Sequence, residues 1–268
     1  MVKNKKLIKG IKEKRVKALT LGFEATRLCN YACKHCYVGE PEPVELDPLV
    51  AQAVLDYFNN VRDIHIYGGE TMLSTTGLKT LDTTLGEAKT KFNSLSFVTN
   101  GYYINEEIME ILESIYDKAD RTQGDYTIKI AFSNDYWHRK EEQRLGIPRK
   151  EIYNNYLKTK KAHPRFEYGY RKYESKKAFG IAYSGRARNI IKPTRPGFNS
   201  DLLFYDEICN NLYQISKFNV NAKGKVVVGG CGVSYTAGDT RVNKGDILQT
   251  PIPDILIEHG WGAITHNN

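Results

Sequence analysis

A repeated alternation constrains this chain more than any other feature. Ala18–Thr26 (ALTLGFEAT), Asp63–Tyr67 (DIHIY), Ser94–Thr99 (SLSFVT) and Thr127–Ser133 (TIKIAFS) read as strands. Helical stretches come after them at Asp47–Asn60, Gly77–Lys91, Asn105–Lys118 and Lys150–Lys161. Two of these mark their own starts. Asp47 is placed to cap the first, with Pro48 at the first helical position, and Asn105 is placed to cap the third. Strands that alternate with helices of about 10–15 residues build βα units, and hence a parallel sheet.

After Lys161 the rhythm changes. His163–Ser175 is aromatic and basic, and Phe179–Ser184 (FGIAYS) reads as one more strand. Ile191–Gly197 (IKPTRPG) marks a boundary, because two prolines and a glycine interrupt any regular element. Beyond it, Lys217–Val228 reads as a hairpin around Ala222–Lys223–Gly224, and Ile252–His259 as a short helix. The chain thus divides into a basic tail (1–17), a core (18–190) and a small α+β C-terminal region (191–268). With 18 Tyr and 10 Phe in 268 residues there is enough apolar material for a sizeable core.

The formal charge is +8, but the excess is local. Lys3, Lys5, Lys6, Lys9, Lys12, Lys14, Arg15 and Lys17 stand against the single acid Glu13. This segment is expected to be a solvated, partly frayed tail. The remainder is nearly neutral, which argues against a broad nucleic-acid surface. No apolar run approaches the roughly 18 residues of a membrane span, and the N-terminus lacks the apolar centre of a signal peptide. The expected location is the cytoplasm.

Five cysteines are present: Cys29, Cys33, Cys36, Cys209 and Cys231. An odd number, three of them within eight residues, is a poor disulfide framework and points to a metal. Cys29 to Cys36 (CNYACKHC) has CxxxCxxC spacing directly after the first strand. Three thiolates on one tight loop can hold three irons of a cubane and leave the fourth iron open. The alternative on spacing alone is a zinc knuckle, with His35 or a remote residue as fourth ligand.

Together with the motifs at the later strand ends, the loop resembles that of the radical S-adenosylmethionine (radical SAM) enzymes. Thr26–Arg27–Leu28 precedes it and Tyr37 comes directly after it. Gly68–Gly69–Glu70 at the end of the second strand resembles that family's GGE motif, and Thr99–Asn100–Gly101 its TNG. Ser133-x-Asp135 is similar to S-x-D, and Ser184–Gly185–Arg186–Ala187 to a late GRA motif. The resemblance spans about Leu19 to Asn189. It implies a partial (β/α)6 TIM-like barrel with a small α+β appendage, holding a [4Fe–4S] cluster on Cys29, Cys33 and Cys36. S-adenosyl-L-methionine would lie against His35, Gly68, Gly69, Glu70, Asn100, Ser133 and Arg186. His35 falls where an aromatic near the adenine is usual, while Glu70 and Arg186 would meet the amine and carboxylate. The implied chemistry is reductive cleavage to a 5′-deoxyadenosyl radical that abstracts hydrogen from a substrate. An external electron donor of flavodoxin or ferredoxin type is implied as well.

The C-terminal region resembles a truncated SPASM or twitch region: a hairpin, Cys231 after it, and Gly245–Asp246–Ile247 before the last helix. Two cysteines are too few for an auxiliary cluster, so none is expected. Cys231, flanked by glycines, is the candidate hydrogen-atom donor, with a buried packing role for Cys209 and Cys231 as the alternative. The expected substrate is a peptide or protein, with a nucleotide or small metabolite as the alternative. The basic segment is too short for a separate domain that binds a leader peptide.

Overall fold

The computed structural model describes residues 5–14, 16–36, 38–58, 60–88, 90–118, 127–173, 205–209, 212–227 and 243–259. The first half keeps to the alternation. Strands β1 (Val16–Thr26), β2 (Val61–Gly68), β3 (Ser94–Thr99) and β4 (Thr127–Asp135) are separated by helices α2 (Pro48–Tyr57), α3 (Thr76–Ala88) and α4 (Glu106–Lys118). A helix α1 (Lys5–Lys12) precedes β1. After β4 come α5 (Tyr136–Leu145), α6 (Arg149–Ala162) and β5 (Glu167–Tyr173). The C-terminal part supplies β6 (Tyr205–Cys209), β7 (Leu212–Val220), β8 (Lys225–Val227), β9 (Asn243–Asp246) and α7 (Ile252–His259).

The nine strands among the described residues share one sheet, in the order β5-β4-β3-β2-β1-β7-β8-β9, with β6 paired to β7. Neighbours from β5 through β1 to β7 are parallel, and the remaining pairs are antiparallel. Among the described residues the sheet does not close on itself. Alternate residues of the parallel strands build the core: Leu21 and Phe23, Ile64 and Ile66, Leu95 and Phe97, Ile128 and Ile130 are all buried. They pack with Val50 and Val54 of α2, Leu78 and Leu81 of α3, and Ile108 and Leu112 of α4. Each such side chain contributes about 1.5–3 kcal/mol by leaving water. This apolar layer fixes the strands, so their C-terminal ends form a common rim.

The capping residues behave as the sequence indicates. Asp47 accepts from the Leu49 amide with Pro48 at the first helical position, and Asn105 accepts from the Glu107 amide. Three elements differ from expectation. Within the basic segment, Lys5–Lys12 is a helix and not a frayed tail: Ile11 is fully buried and its carbonyl accepts from the Tyr57 hydroxyl at 2.9 Å. Its isoleucines at 8 and 11 fall on one side of a helix, and the helix packs against β7 and α7. Helix α5 is not expected from the sequence, because YWHRKEEQRL carries no apolar stripe. Strand β5 lies within the stretch that reads only as aromatic and basic.

The hairpin forms as expected, turning at Gly224 with φ +84°. Its first strand runs parallel to β1, so the C-terminal part extends the main sheet. Phe179–Ser184 and the boundary at 191–197 lie outside the described residues. Among the described residues no helix is long and apolar enough to cross a membrane.

Candidate active site

The C-terminal ends of β1 to β4 converge on one cavity of about 130 Å³. Its lining includes Cys29, Cys33, Cys36 and His35 from the loop after β1, and Gly68, Gly69 and Glu70 from the end of β2. Asn100 after β3 and Ser133 near the end of β4 complete the set. These nine sequence-derived candidates therefore meet in one place. Arg186 and Cys231 lie outside the described residues.

The glycine pair is required by backbone crowding. A Cβ on Gly68 would lie 2.2 Å from the Thr26 carbonyl oxygen, and one on Gly69 2.0 Å from that of Leu28. Gly68 also holds φ +153°, a conformation L side chains rarely adopt. This closeness allows the Gly69 amide to donate to Thr26 O at 2.8 Å and the Glu70 amide to Leu28 O at 2.6 Å. The segment leading into the cysteine loop is thereby sewn to the end of β2. From sequence the glycines are expected to admit a ligand; in the fold they first admit the neighbouring chain.

Glu70 is 1% exposed. Its Oε1 accepts from the Met72 amide at 3.0 Å and the Thr99 hydroxyl at 2.7 Å, and its Oε2 from the Asn100 amide at 2.6 Å. Burial raises its pKa, and these three donors oppose the rise. One carboxylate thus ties the end of β2 to the end of β3. Asn100 passes the connection on, its Nδ2 donating to Asn30 Oδ1 at 2.8 Å inside the cysteine loop. Gly101, at φ +75°, makes the turn after it.

Within the loop, two backbone amides are bonded. The Cys36 amide donates to Cys33 O at 3.0 Å, and the Tyr31 amide meets Cys29 Sγ at 3.4 Å. All three thiols are free of disulfides. Burial, then the charges of Cys36 and Cys29, push the Cys33 thiol well above its ordinary range. The returning chain is held by Arg27, 3% exposed, whose Nη2 donates to Val38 O at 3.1 Å and Glu40 O at 3.3 Å.

Helix α5 supplies Trp137 and His138, which the sequence does not single out. Asp135 caps it, accepting from the Trp137 and His138 amides at 2.9 and 3.1 Å. The same carboxylate bonds His138 Nδ1 at 2.6 Å and lies 3.7 Å from His35 Nε2. Burial alone would raise the Asp135 pKa, but the hydrogen bonds and charges of His138 and His35 outweigh it and hold the group well below the usual carboxylate range. His35 stacks on Trp137 with ring centroids 6.0 Å apart and meets His138 edge-on at 5.2 Å. His35, Asp135 and His138 also place three ligand atoms within 4.8 Å of one another. The one local signal for this helix is Asp135 itself, since Asp is a preferred N-cap. Its place at the end of the S-x-D motif masks that signal.

Residues 23–121 match the sequence profile of the Radical SAM superfamily. Over 100 residues the chain is 30% identical to the antilisterial bacteriocin subtilosin biosynthesis protein AlbA of Bacillus subtilis (strain 168). That match takes in 36% of this chain and 21% of AlbA's length. Among solved structures, BtrN in complex with AdoMet and 2-DOIA is similar over 88% of this chain and 81% of its own, at 16% identity and a TM-score of 0.45. SuiB of Streptococcus suis bound to precursor peptide SuiA is similar over 97% and 68%, at 12% identity and a TM-score of 0.44.

The superfamily uses a [4Fe–4S] cluster and S-adenosylmethionine, and the residues present fit both. Three free thiols on one loop are a donor set for iron. Two buried atoms of lining residues, Tyr31 Oη and His35 Nδ1, lack a hydrogen-bond partner among the described residues. Such atoms suit a polar ligand in the cavity.

Proposed function

We propose that this chain is a radical SAM enzyme that abstracts hydrogen from a peptide or protein substrate. One observation carries the reading: the three thiols, the glycine pair with Glu70, Asn100 and Ser133 line a single cavity at the ends of four parallel strands. Ligands of parallel α/β folds bind at this end, where loops converge. The peptide class is supported by the shared segment with AlbA, a protein named for the biosynthesis of a bacteriocin.

Cys29, Cys33 and Cys36 would hold the cluster, and Gly68, Gly69, Glu70, Asn100, Ser133 and His35 would line the S-adenosylmethionine site. When bound, the pair supplies one-electron chemistry that removes a hydrogen atom from a substrate. The chain's own residues bind, orient and exclude water. Glu70 and Asn100 lock three loops together, so the lining groups keep fixed positions relative to the thiols. Tyr31 and Tyr67, both 2% exposed, close the cavity with aromatic surface. His35 is held by Asp135 and Trp137 and presents a planar ring. Arg186 and Cys231 belong to the same proposal as carboxylate partner and hydrogen donor.

Anaerobic reconstitution tests it. The expected result is about four irons per chain, as one [4Fe–4S] requires, with formation of 5′-deoxyadenosine from S-adenosylmethionine. Zinc in place of iron, with no cleavage, would overturn the assignment. About eight irons would mean that Cys209, Cys231 and other residues hold a second cluster. Product analysis with a peptide panel against nucleotides then decides the substrate class.

A further inference from the structure

The cysteine loop is anchored from outside on both sides of Tyr31. One anchor, Asn30 to Asn100, belongs to the strand-end motifs. The other does not. The Ala32 amide, between Cys29 and Cys33, donates to Glu141 Oε1 at 2.8 Å, across 109 positions of sequence. Glu141 sits in the middle of α5 and is 6% exposed. Arg144, one turn on, grips the same carboxylate as a fork, Nη2 to Oε1 at 2.6 Å and Nε to Oε2 at 3.0 Å. A two-pronged guanidinium contact fixes the carboxylate plane as well as its position.

Packing alone does not require a carboxylate here. An apolar side chain would bury more cheaply, since removing a charge from water costs several kcal/mol unless partners offset it. Its partners include Arg144 and the Ala32 amide of the loop. Glu141 does not line the cavity, so its action on the site passes through the loop backbone.

We propose that Glu141 is a positioning residue for the cysteine loop. Its carboxylate holds the Cys29–Cys33 span in the shape that receives the cluster, and its charge beside the thiolates lowers the potential at which the cluster is reduced. This rests on Cys29, Cys33 and Cys36 being the cluster ligands, as proposed above. A negative charge next to a redox centre disfavours the reduced, more negative form. Glu141→Gln keeps an acceptor for Ala32 and removes the charge, whereas Glu141→Ala removes both.

Two measurements on the full chain decide the matter. In metal-free protein, hydrogen exchange of the peptide containing Ala32 should accelerate about tenfold in Glu141→Ala, the loss of one charged hydrogen bond. Glu141→Gln, which keeps only a neutral acceptor, should fall between the two, about threefold faster than wild type. In iron-loaded protein, a potentiometric titration followed by electron paramagnetic resonance should give a higher midpoint for Glu141→Gln than for wild type. Unchanged exchange in the alanine variant, or an unchanged midpoint in the glutamine variant, overturns the proposal. Loss of fold in both variants makes Glu141 a stabiliser of α5 and overturns it too. If wild type binds no iron, the functional reading fails, and the exchange result alone decides whether the loop anchor exists.

Discussion

The rim at the ends of β1 to β4 and the hairpin of β7 and β8 belong to one sheet but are held by different means. At the rim, backbone meets backbone: Gly68 and Gly69 abut the carbonyls of Thr26 and Leu28, and a buried carboxylate bridges β2 to β3. At the hairpin, apolar side chains dominate: Phe218, Val220, Val226, Ile255 and Leu256 are buried together. Its turn is held by the buried Asn221 side chain, which accepts from the Lys223 and Lys225 amides at 2.8 and 2.7 Å, and its ion pairs lie nearer the surface. Lys223 reaches Glu42 at 2.9 Å with both side chains partly in water, and Lys225 reaches Asp246 at 2.7 Å. The two regions touch where Glu24, fully buried, accepts from the Ala222 amide at 3.0 Å. The difference teaches where substitution is tolerated. Backbone contacts and buried charges have no flexible end that can give way, whereas a side chain can repack.

Substitutions ranked by expected effect test this contrast. The largest effect is all-or-none: alanine at Cys29, Cys33 or Cys36 should bring bound iron from about four per chain to near zero, with the far-ultraviolet circular dichroism unchanged. Retained iron in any of the three would remove that residue from the site. Next is Gly69→Ala, whose Cβ would meet Leu28 O at 2.0 Å and should cost about 3 kcal/mol in urea unfolding. Gly224→Ala would have as its nearest neighbours side-chain atoms at 3.1–3.3 Å, which must give slightly, and with the strain of a positive φ should cost about 1–2 kcal/mol. Equal losses would erase the distinction between the regions. Between the two glycines in size, Glu70→Ala should cost about 2–3 kcal/mol by stranding three donors, and S-adenosylmethionine affinity measured by calorimetry should fall with it.

A smaller effect is one of pH. Because His138 and His35 hold the folded-state pKa of Asp135 below its ordinary 3.8, its contribution is present above that value and is lost as pH falls toward the lower, folded pKa. Metal-free Asp135→Asn should therefore lose less stability than wild type on acidification below about pH 4, followed by fluorescence. An identical acid limb in both proteins would deny the carboxylate that role. Smallest of all, Lys223→Ala removes an exposed ion pair and should change stability by about 0.2–1 kcal/mol.

Sequence alone determined the elements whose signals are local. Hydrophobic periodicity with caps at Asp47 and Asn105 sets where α2 and α4 begin, and Ser94–Thr99 forms β3 as read. The thiol loop and the strand-end motifs were legible too, because each is a short run of fixed residue types. Tertiary structure decided what depends on pairs distant in the chain. Tyr31 and His35 gain their surroundings from α5, a helix whose charged sequence shows no apolar face. Glu141 looks like any surface carboxylate until folding brings Ala32 to 2.8 Å. The basic segment Lys5–Lys12 is a docked helix: it packs against α7 and β7, and Ile11 is buried. In each case the free energy resides in a contact between segments, and no window along the chain contains both partners.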